Sequence, residues 1–445
     1  MAGLCAGVAA SEAGARVLVV EKGPAPGGSM RMSGGAIWTA PSMDVMLRYV
    51  PAGDRERQRR LVDGIGPGLE WLRGHGVDTG TPFGGDRQVG VELDVVAFTD
   101  RMVARIEALG GKIAASTALE ALERDADGGI NAVTVRDADG SATRIETGAV
   151  ILATGGFQGN PGLLATYVTQ YADSMLRRAN PWSTGDGLLA ATAIGARTSP
   201  SMSTFYGHTM PAPPADPPAN RWTAVTQYGS QDMILLNVRG ERFMDESISM
   251  ADERAPAEIA RQPDGRAFVI IDQRVYDDRP MAGRSSSAIR PNFDGAAAAG
   301  APSVTAATLD ELADGMAAWG VSRRGLLATL AEFTEAVEAG RGAELRIPRT
   351  GSPFGLVEAP FRALAVRAGI TFTLGGIDVD PDQRVLDRGG RPICGLWAAG
   401  ADAGGTYRSG YMGGLVLGLV QGRAAGAAAA ALVVRYGSAK PVNES

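Results

Sequence analysis

The sequence predicts an α/β protein: a doubly wound sheet carrying a β-meander, interrupted by an inserted α+β segment. Three observations point there. Met1 to Glu21 reads as a helix, small and apolar from Gly3 to Ala13 in "AGLCAGVAASEAGA", then a buried strand from Val17 to Val20 that ends on Glu21. Thr117 to Glu123, Ile130 to Arg136 and Ala142 to Glu146 alternate apolar and polar residues, with "DADGG" and "DADG" between them. That period and turn chemistry predict a three-stranded meander. From about Met202 to Leu356 the character changes to Pro-rich loops (Pro211 to Pro218), a strand-like "MILLN", the hairpin turn "VRGER" and helices at Thr308 to Ala317 and Ser322 to Ala339. The expected division is therefore 1–200 and 354–436 as two parts of one domain, 201–353 as the insertion, and 437–445 as a tail.

Composition narrows the class. A chain of 445 residues exceeds one typical domain. A net charge of −6 argues against nucleic acid as a partner, because phosphate binding needs basic stripes. The two cysteines, Cys5 and Cys394, allow no disulfide framework or metal spacing, and both read as buried small hydrophobes. No metal site is expected. No apolar run reads as a membrane span, and the start lacks a basic signal-like region, so the expectation is a cytoplasmic protein.

Taken in order, the opening helix and strand form the second half of a dinucleotide-binding βαβ unit. Of the G-x-G-x-x-G fingerprint only the third glycine, Gly3, is present, and Glu21 stands where a carboxylate accepts hydrogen bonds from a ribose. "EKGPAPGGSMRMSGGAIW" follows, with glycine turns at Gly27-Gly28-Ser29 and Gly34-Gly35 after Lys22. Asp54 to Ile65 and Gly68 to Gly74 read as two helices broken at Gly66-Pro67. Asp94 to Leu109 is an amphipathic helix ending at Gly110-Gly111. Ala149 to Ala153 is a buried strand ending in "ATGGFQGN", and "STGDGLLAATAIGA" opens a helix near Asp186. "AFVIIDQRVYDD" is a strand followed by a helix start. Near the end, "GLWAAGADAGG" precedes a glycine pair, Gly413-Gly414, that enters an Ala/Leu/Gly-rich helix from Leu415 to Val434. Such a helix start presents free N–H groups and a positive dipole end to an anionic partner.

The wording of these segments resembles flavoproteins of the fumarate reductase/succinate dehydrogenase and 3-ketosteroid dehydrogenase superfamily, including tricarballylate dehydrogenase-like proteins. The resemblance runs from Gly3 to Ala430. It implies a Rossmann-like FAD-binding domain with a meander and an inserted capping domain, FAD as cofactor, and Gly3, Glu21, Lys22, Gly28, Ser29, Gly34, Gly35, Thr154, Gly155, Gly156, Asp186, Gly400, Asp402, Gly414 and Leu415 as its contacts. Some relatives attach flavin through a histidine near the Glu21–Gly35 turn. This chain has only His75 and His208, neither close in sequence, so noncovalent binding is expected.

Family members move a hydride between flavin and a carbon of an activated C–C bond, with a side chain handling the proton. Fumarate reductases hold substrate carboxylates with a His in "HTMGG" and an Arg in "NRLGG". Here those places read "FTLGG", with Phe372, and "GYMGG", with Tyr411, which argues against fumarate or succinate. In 3-ketosteroid Δ1-dehydrogenases a tyrosine at that place hydrogen-bonds the substrate ketone, and "ITFTFGG" of tricarballylate dehydrogenase-like proteins is close to Ile370 to Gly376. The resemblance thus implies Tyr411 as the carbonyl-polarising residue, against a reading in which it merely packs beside the flavin. Tyr407 either lines the same pocket or forms a wall. His208 in "FYGHTM" falls where relatives keep a substrate-facing His, unless it is structural, and Tyr206 is a candidate proton acceptor. Arg284 falls near the family's proton-donating arginine, with Arg279 as the alternative.

The expected function is hydride transfer between FAD N5 and a C–C bond beside a carbonyl or carboxyl group of a small ketosteroid-like or polycarboxylate-like substrate, with an electron donor or acceptor that the sequence does not identify. The alternative is a truncated, flavin-poor, non-catalytic remnant, because the sequence starts inside its own nucleotide fingerprint. A start set too far downstream explains the same observation. A nicotinamide-dependent dehydrogenase is a third, weaker reading, since the downstream motifs match flavin enzymes.

Overall fold

The computed structural model describes residues 1–279, 289–351 and 355–436. It divides into two compact units: one comprises Met1–Leu163, Ala179–Thr204 and the chain from Phe372 onward, the other Leu164–Arg178 and Phe205–Thr371.

In the first unit, the helix Leu415–Tyr436 is organised by glycines four residues apart. A Cβ at Gly422 or Gly426 would collide with the carbonyls of Ala2 or Ala6, so the helix Ala2–Glu12 crosses at backbone contact. On another face, Val420 and Leu419 fill the space above Gly64 and Gly68. That packing explains a departure from expectation: Arg55–Gly74 is one helix that carries Pro67 inside it. Proline removes one helical hydrogen bond, and burial of the Leu61, Ile65, Leu69 and Leu72 stripe holds the helix together across it. One helix bears on the expectation about membranes. Leu415–Arg435 is long and apolar enough by length and composition to cross one. Of its apolar window 56% is buried inside the protein, Val416, Leu417, Leu419 and Ala425 included.

Strand Leu18–Val20 pairs in parallel with Lys112–Ala114, and strand Val150–Leu152 pairs in parallel with Pro392–Ala398, in separate sheets. The helix Val95–Ala108 begins at Asp94, whose carboxylate accepts from the N–H groups of Val96 and Ala97. The meander forms at Thr117–Arg124, Ile130–Asp137 and Ala142–Glu146. Cys5 is buried, but Cys394 is exposed: alternation along Pro392–Ala398 turns Ile393 inward and Cys394 to solvent.

The second unit is a six-stranded sheet around Phe361–Thr373. That strand pairs antiparallel with Arg266–Ile271 and Ser303–Ala306, parallel with Leu176–Arg177, and also with Phe205–Pro211. Ile234–Leu236 extends the sheet beyond Arg266–Ile271. Helices Leu309–Ala317 and Arg323–Glu338 cover it, packing Leu312, Leu326, Leu330 and Phe333 on Phe268 and Ile270. Thr308 and Glu311 form a capping box at the start of the first of these. The unit borders therefore run differently from the expected 200/201 and 353/354. The register of Phe361–Thr373 ties residues 361–371 to the inserted sheet, and Leu176–Arg177 joins it as well. Phe354, where the chain was expected to return, lies outside the described residues.

Candidate functional site

In the first unit, sequence-distant turns converge. Strand Val150–Leu152 ends at Thr154-Gly155-Gly156, where both glycines have positive φ, +96° and +83°. The backbone N–H groups of Thr154 and Gly156 donate to the Asp402 carboxylate, and Thr154 Oγ1 adds a third bond at 3.1 Å. Asp402 is thus a buried latch across 248 residues of chain. Burial raises its carboxyl above the usual range, against the pull of those N–H donors. Gly400 N–H donates to Gln421 of the C-terminal helix at 2.9 Å.

At the end of Leu18–Val20, Glu21 Oε1 accepts from Gly23 N–H at 2.7 Å. Burial raises the Glu21 carboxyl too. Lys22 Nζ reaches both Asp186 oxygens, at 2.8 and 3.0 Å, and Thr184 Oγ1 at 2.6 Å. Ser29 Oγ accepts from Asn180 Nδ2 at 3.0 Å. Beside them opens a cavity of about 320 Å3 lined by Lys22, Pro24, Ser116, Ala118, Arg136 and Trp182, among others. Gly34 has open space where a side chain would stand, whereas Gly35 is required by close approach to the Leu93 carbonyl. Gly3, against Ala153, sits in the first turn of its helix.

The loop before the C-terminal helix carries the aromatic group. Tyr407 is fully buried and its hydroxyl donates to the carbonyls of Met412 (2.9 Å) and Gly413 (3.2 Å). Burial drives its phenol pKa upward, so this tyrosine fixes the loop. Gly413 takes φ +97°, and a Cβ there would strike the Trp38 carbonyl. The Gly414 N–H donates to Tyr411 Oη at 2.8 Å, so the helix start does not present that N–H freely: the phenol beside it has taken it. The Tyr411 ring meets Trp38, Phe372 and Tyr407 edge-on at centroid distances of 5.4, 5.9 and 6.3 Å. Leu415 opens the helix.

In the second unit, Tyr206 Oη and His208 Nε2 are 2.9 Å apart on strand Phe205–Pro211, and the His208 ring also packs against Tyr228. Burial, with the charge of Arg178 second, lowers the imidazole pKa to about 3, so His208 is neutral near pH 7. Its Nδ1 is buried without a hydrogen-bond partner. Arg279 is exposed and held by Asp277 and Glu358, which raise its pKa, the opposite of what an acid catalyst needs. Arg284 lies outside the described residues. His75 stands 3.4 Å from Glu12 and packs on Trp71.

Residues 1–414 match the family of the FAD binding domain. The chain belongs to this family. Vinyl phenol reductase of Lactiplantibacillus plantarum is 27% identical, over 91% of this chain and 88% of that protein. A probable fumarate reductase of Shewanella frigidimarina is 26% identical, over 91% and 69%. The structure of 3-ketosteroid Δ4-(5α)-dehydrogenase from Rhodococcus jostii superposes with a TM-score of 0.73 at 22% identity, covering 96% of this chain and 94% of that one, and shares its fold. This FAD-binding-domain protein is thus a flavin-dependent oxidoreductase whose cofactor is FAD. Its residues suit the group: the cavity beside Lys22 is roomy and part aromatic, Gly34 leaves backbone exposed, and the Glu21 carboxylate keeps its Oε2 outside the bond to Gly23. Sequence reading missed Asn180, Trp182 and Arg136 at this end. The one local signal was "NPWS", an Asx turn in which Asn180 Oδ1 accepts from the N–H groups of Trp182 and Ser183.

Proposed function

We propose a cytoplasmic flavoenzyme that dehydrogenates, or in reverse reduces, a C–C bond beside a carbonyl or carboxyl group of a small molecule. Gly3, Glu21, Lys22, Gly28, Ser29, Gly34, Gly35, Thr154–Gly156, Asp186, Gly400, Asp402, Gly414 and Leu415 hold or shape the cradle of FAD, Asp402 by fixing the Thr154 turn. FAD, when bound, supplies the hydride acceptor or donor. Tyr411 polarises the substrate carbonyl. The observation that carries this reading is the Gly414 N–H on its phenol oxygen, at the start of a 22-residue helix. A donor and a positive dipole end at that oxygen stabilise negative charge there and strengthen the hydrogen bond the phenol gives. A polarised carbonyl acidifies the neighbouring C–H in one direction and activates the β-carbon toward hydride in the other. Tyr206 exchanges the proton, with neutral His208 as its acceptor partner.

The test is anaerobic mixing of the reduced holoenzyme with an α,β-unsaturated ketone or acid and, separately, with an isolated alkene. Flavin reoxidation by the conjugated compounds alone is expected. Equal reoxidation by both classes, or by neither, would sink the reading.

A further inference from the structure

The second unit holds a guanidinium that no carboxylate pairs among the described residues. Near the C-terminal end of Phe361–Thr373, Leu176 and Arg177 pair in parallel with Gly369 and Ile370. Gly207 of Phe205–Pro211 lies so close to the Gly369 carbonyl that no Cβ would fit. Arg178 follows the first of these strands. Its N–H donates to Ile370 O at 2.8 Å, and its Nη1 donates to Thr371 Oγ1 at 3.5 Å, a long and weak contact. Its Nε is buried without a hydrogen-bond partner, and no described carboxylate forms an ion pair with it. Arg178 itself is half-buried. Elsewhere in the unit the buried Arg242 and Arg349 share Glu246, and Arg274 holds Asp272.

His208 adds a second unmet group. The residue is 7% exposed and its Nδ1 has no partner. Orphaned buried polar atoms are uncommon in a folded protein and call for a partner. Two of them, one just past strand Leu176–Arg177 and one on Phe205–Pro211, fit a ligand that accepts hydrogen bonds and carries negative charge. A planar carboxylate matches the fork of a guanidinium.

We propose that Arg178 anchors a single carboxylate of the substrate, with Thr371 steadying the guanidinium and His208 offering a neutral polar edge, so that the enzyme prefers monocarboxylic acids. This rests on the reading that the reacting bond lies beside a carbonyl or carboxyl group. Charge decides the count. His208 stays neutral above about pH 4, because its pKa falls to about 3. Arg178 is the one cation that the described residues bring to this cluster, so they offer one positive charge. A second carboxylate would lose water here without gaining a counter-ion. Recognition through the fork also predicts that an amide of the same shape binds worse than the acid.

Calorimetric titration of the oxidised holoenzyme with crotonate, crotonamide and fumarate tests this, since no turnover occurs without reduced flavin. Crotonate should bind at least tenfold more tightly than either of the others. Arg178→Met should abolish that preference and Arg178→Lys restore part of it, with flavin content unchanged in both. Wild-type protein that shows no preference for crotonate, or an Arg178→Met variant that keeps it, overturns the proposal. The variant Tyr411→Phe separates the two ideas. If it keeps the preference and also keeps full turnover, the assigned role of Tyr411 fails while the anchor stands.

Discussion

Replacing Tyr411 by Phe should lower kcat about a hundredfold, the usual cost of losing one preorganised donor at a developing oxyanion, while leaving FAD bound. The substitution is clean. A Phe ring keeps the edge contacts with Trp38 and Phe372, and the loop stays fixed by the Tyr407 hydroxyl on Met412 and Gly413. Only the hydroxyl, and with it the acceptor for Gly414 N–H, is removed. Steady-state kinetics together with the flavin spectrum of the variant decide the matter. Turnover within about threefold of wild type would show that the phenol oxygen plays no part in the chemistry.

Replacing Glu246 by Ala should destabilise the second unit by about 3–5 kcal/mol, the range for breaking a buried ion pair by removing one partner. Glu246 is fully buried. It accepts from Arg242 Nη2 at 2.6 Å, from Arg349 Nη1 at 3.1 Å and from Leu235 N–H at 2.9 Å. Both guanidinium groups also lie near the Phe333 ring, at 4.8 and 5.7 Å from its centroid. Burial already lowers the Arg349 pKa, and the carboxylate is what opposes that shift. Without it two cations share one dry site, so the loss exceeds that of a surface pair by far. Denaturant unfolding of the wild-type and variant proteins measures it. A loss below about 1 kcal/mol would mean that the carbonyls of Ile347, Pro348, Met233 and Gln231, which also accept from these arginines, suffice by themselves.

How much of this was legible in sequence depended on whether the cause was local. The meander was legible because alternation and Asp-Gly turns are written in adjacent residues. So were the helix starts at Asp94, Thr308 and Ser322, whose side chains cap their own helices. The helix through Pro67 was not, because what sustains it is contact with Leu419 and Val420, more than 350 residues away. Cofactor motifs were readable by resemblance, but the Asp402 latch on Thr154 and Gly156 was invisible, as it joins two turns with no shared pattern. Tyr407 was open between pocket and wall until its hydroxyl was seen to close the loop. Arg178 carried no motif of its own in the sequence, being the second residue of an Arg-Arg doublet. Its neighbour Arg177 is exposed, and only strand pairing turns Arg178 toward Thr371.

The central claim is that the first unit holds FAD for redox chemistry at carbon. Its most direct test is the visible absorption spectrum of the purified 445-residue chain during titration with FAD, after removal of unbound flavin. The account predicts a retained flavin spectrum approaching one FAD per chain, bleached on anaerobic reduction. A protein that remains colourless after excess FAD would contradict it.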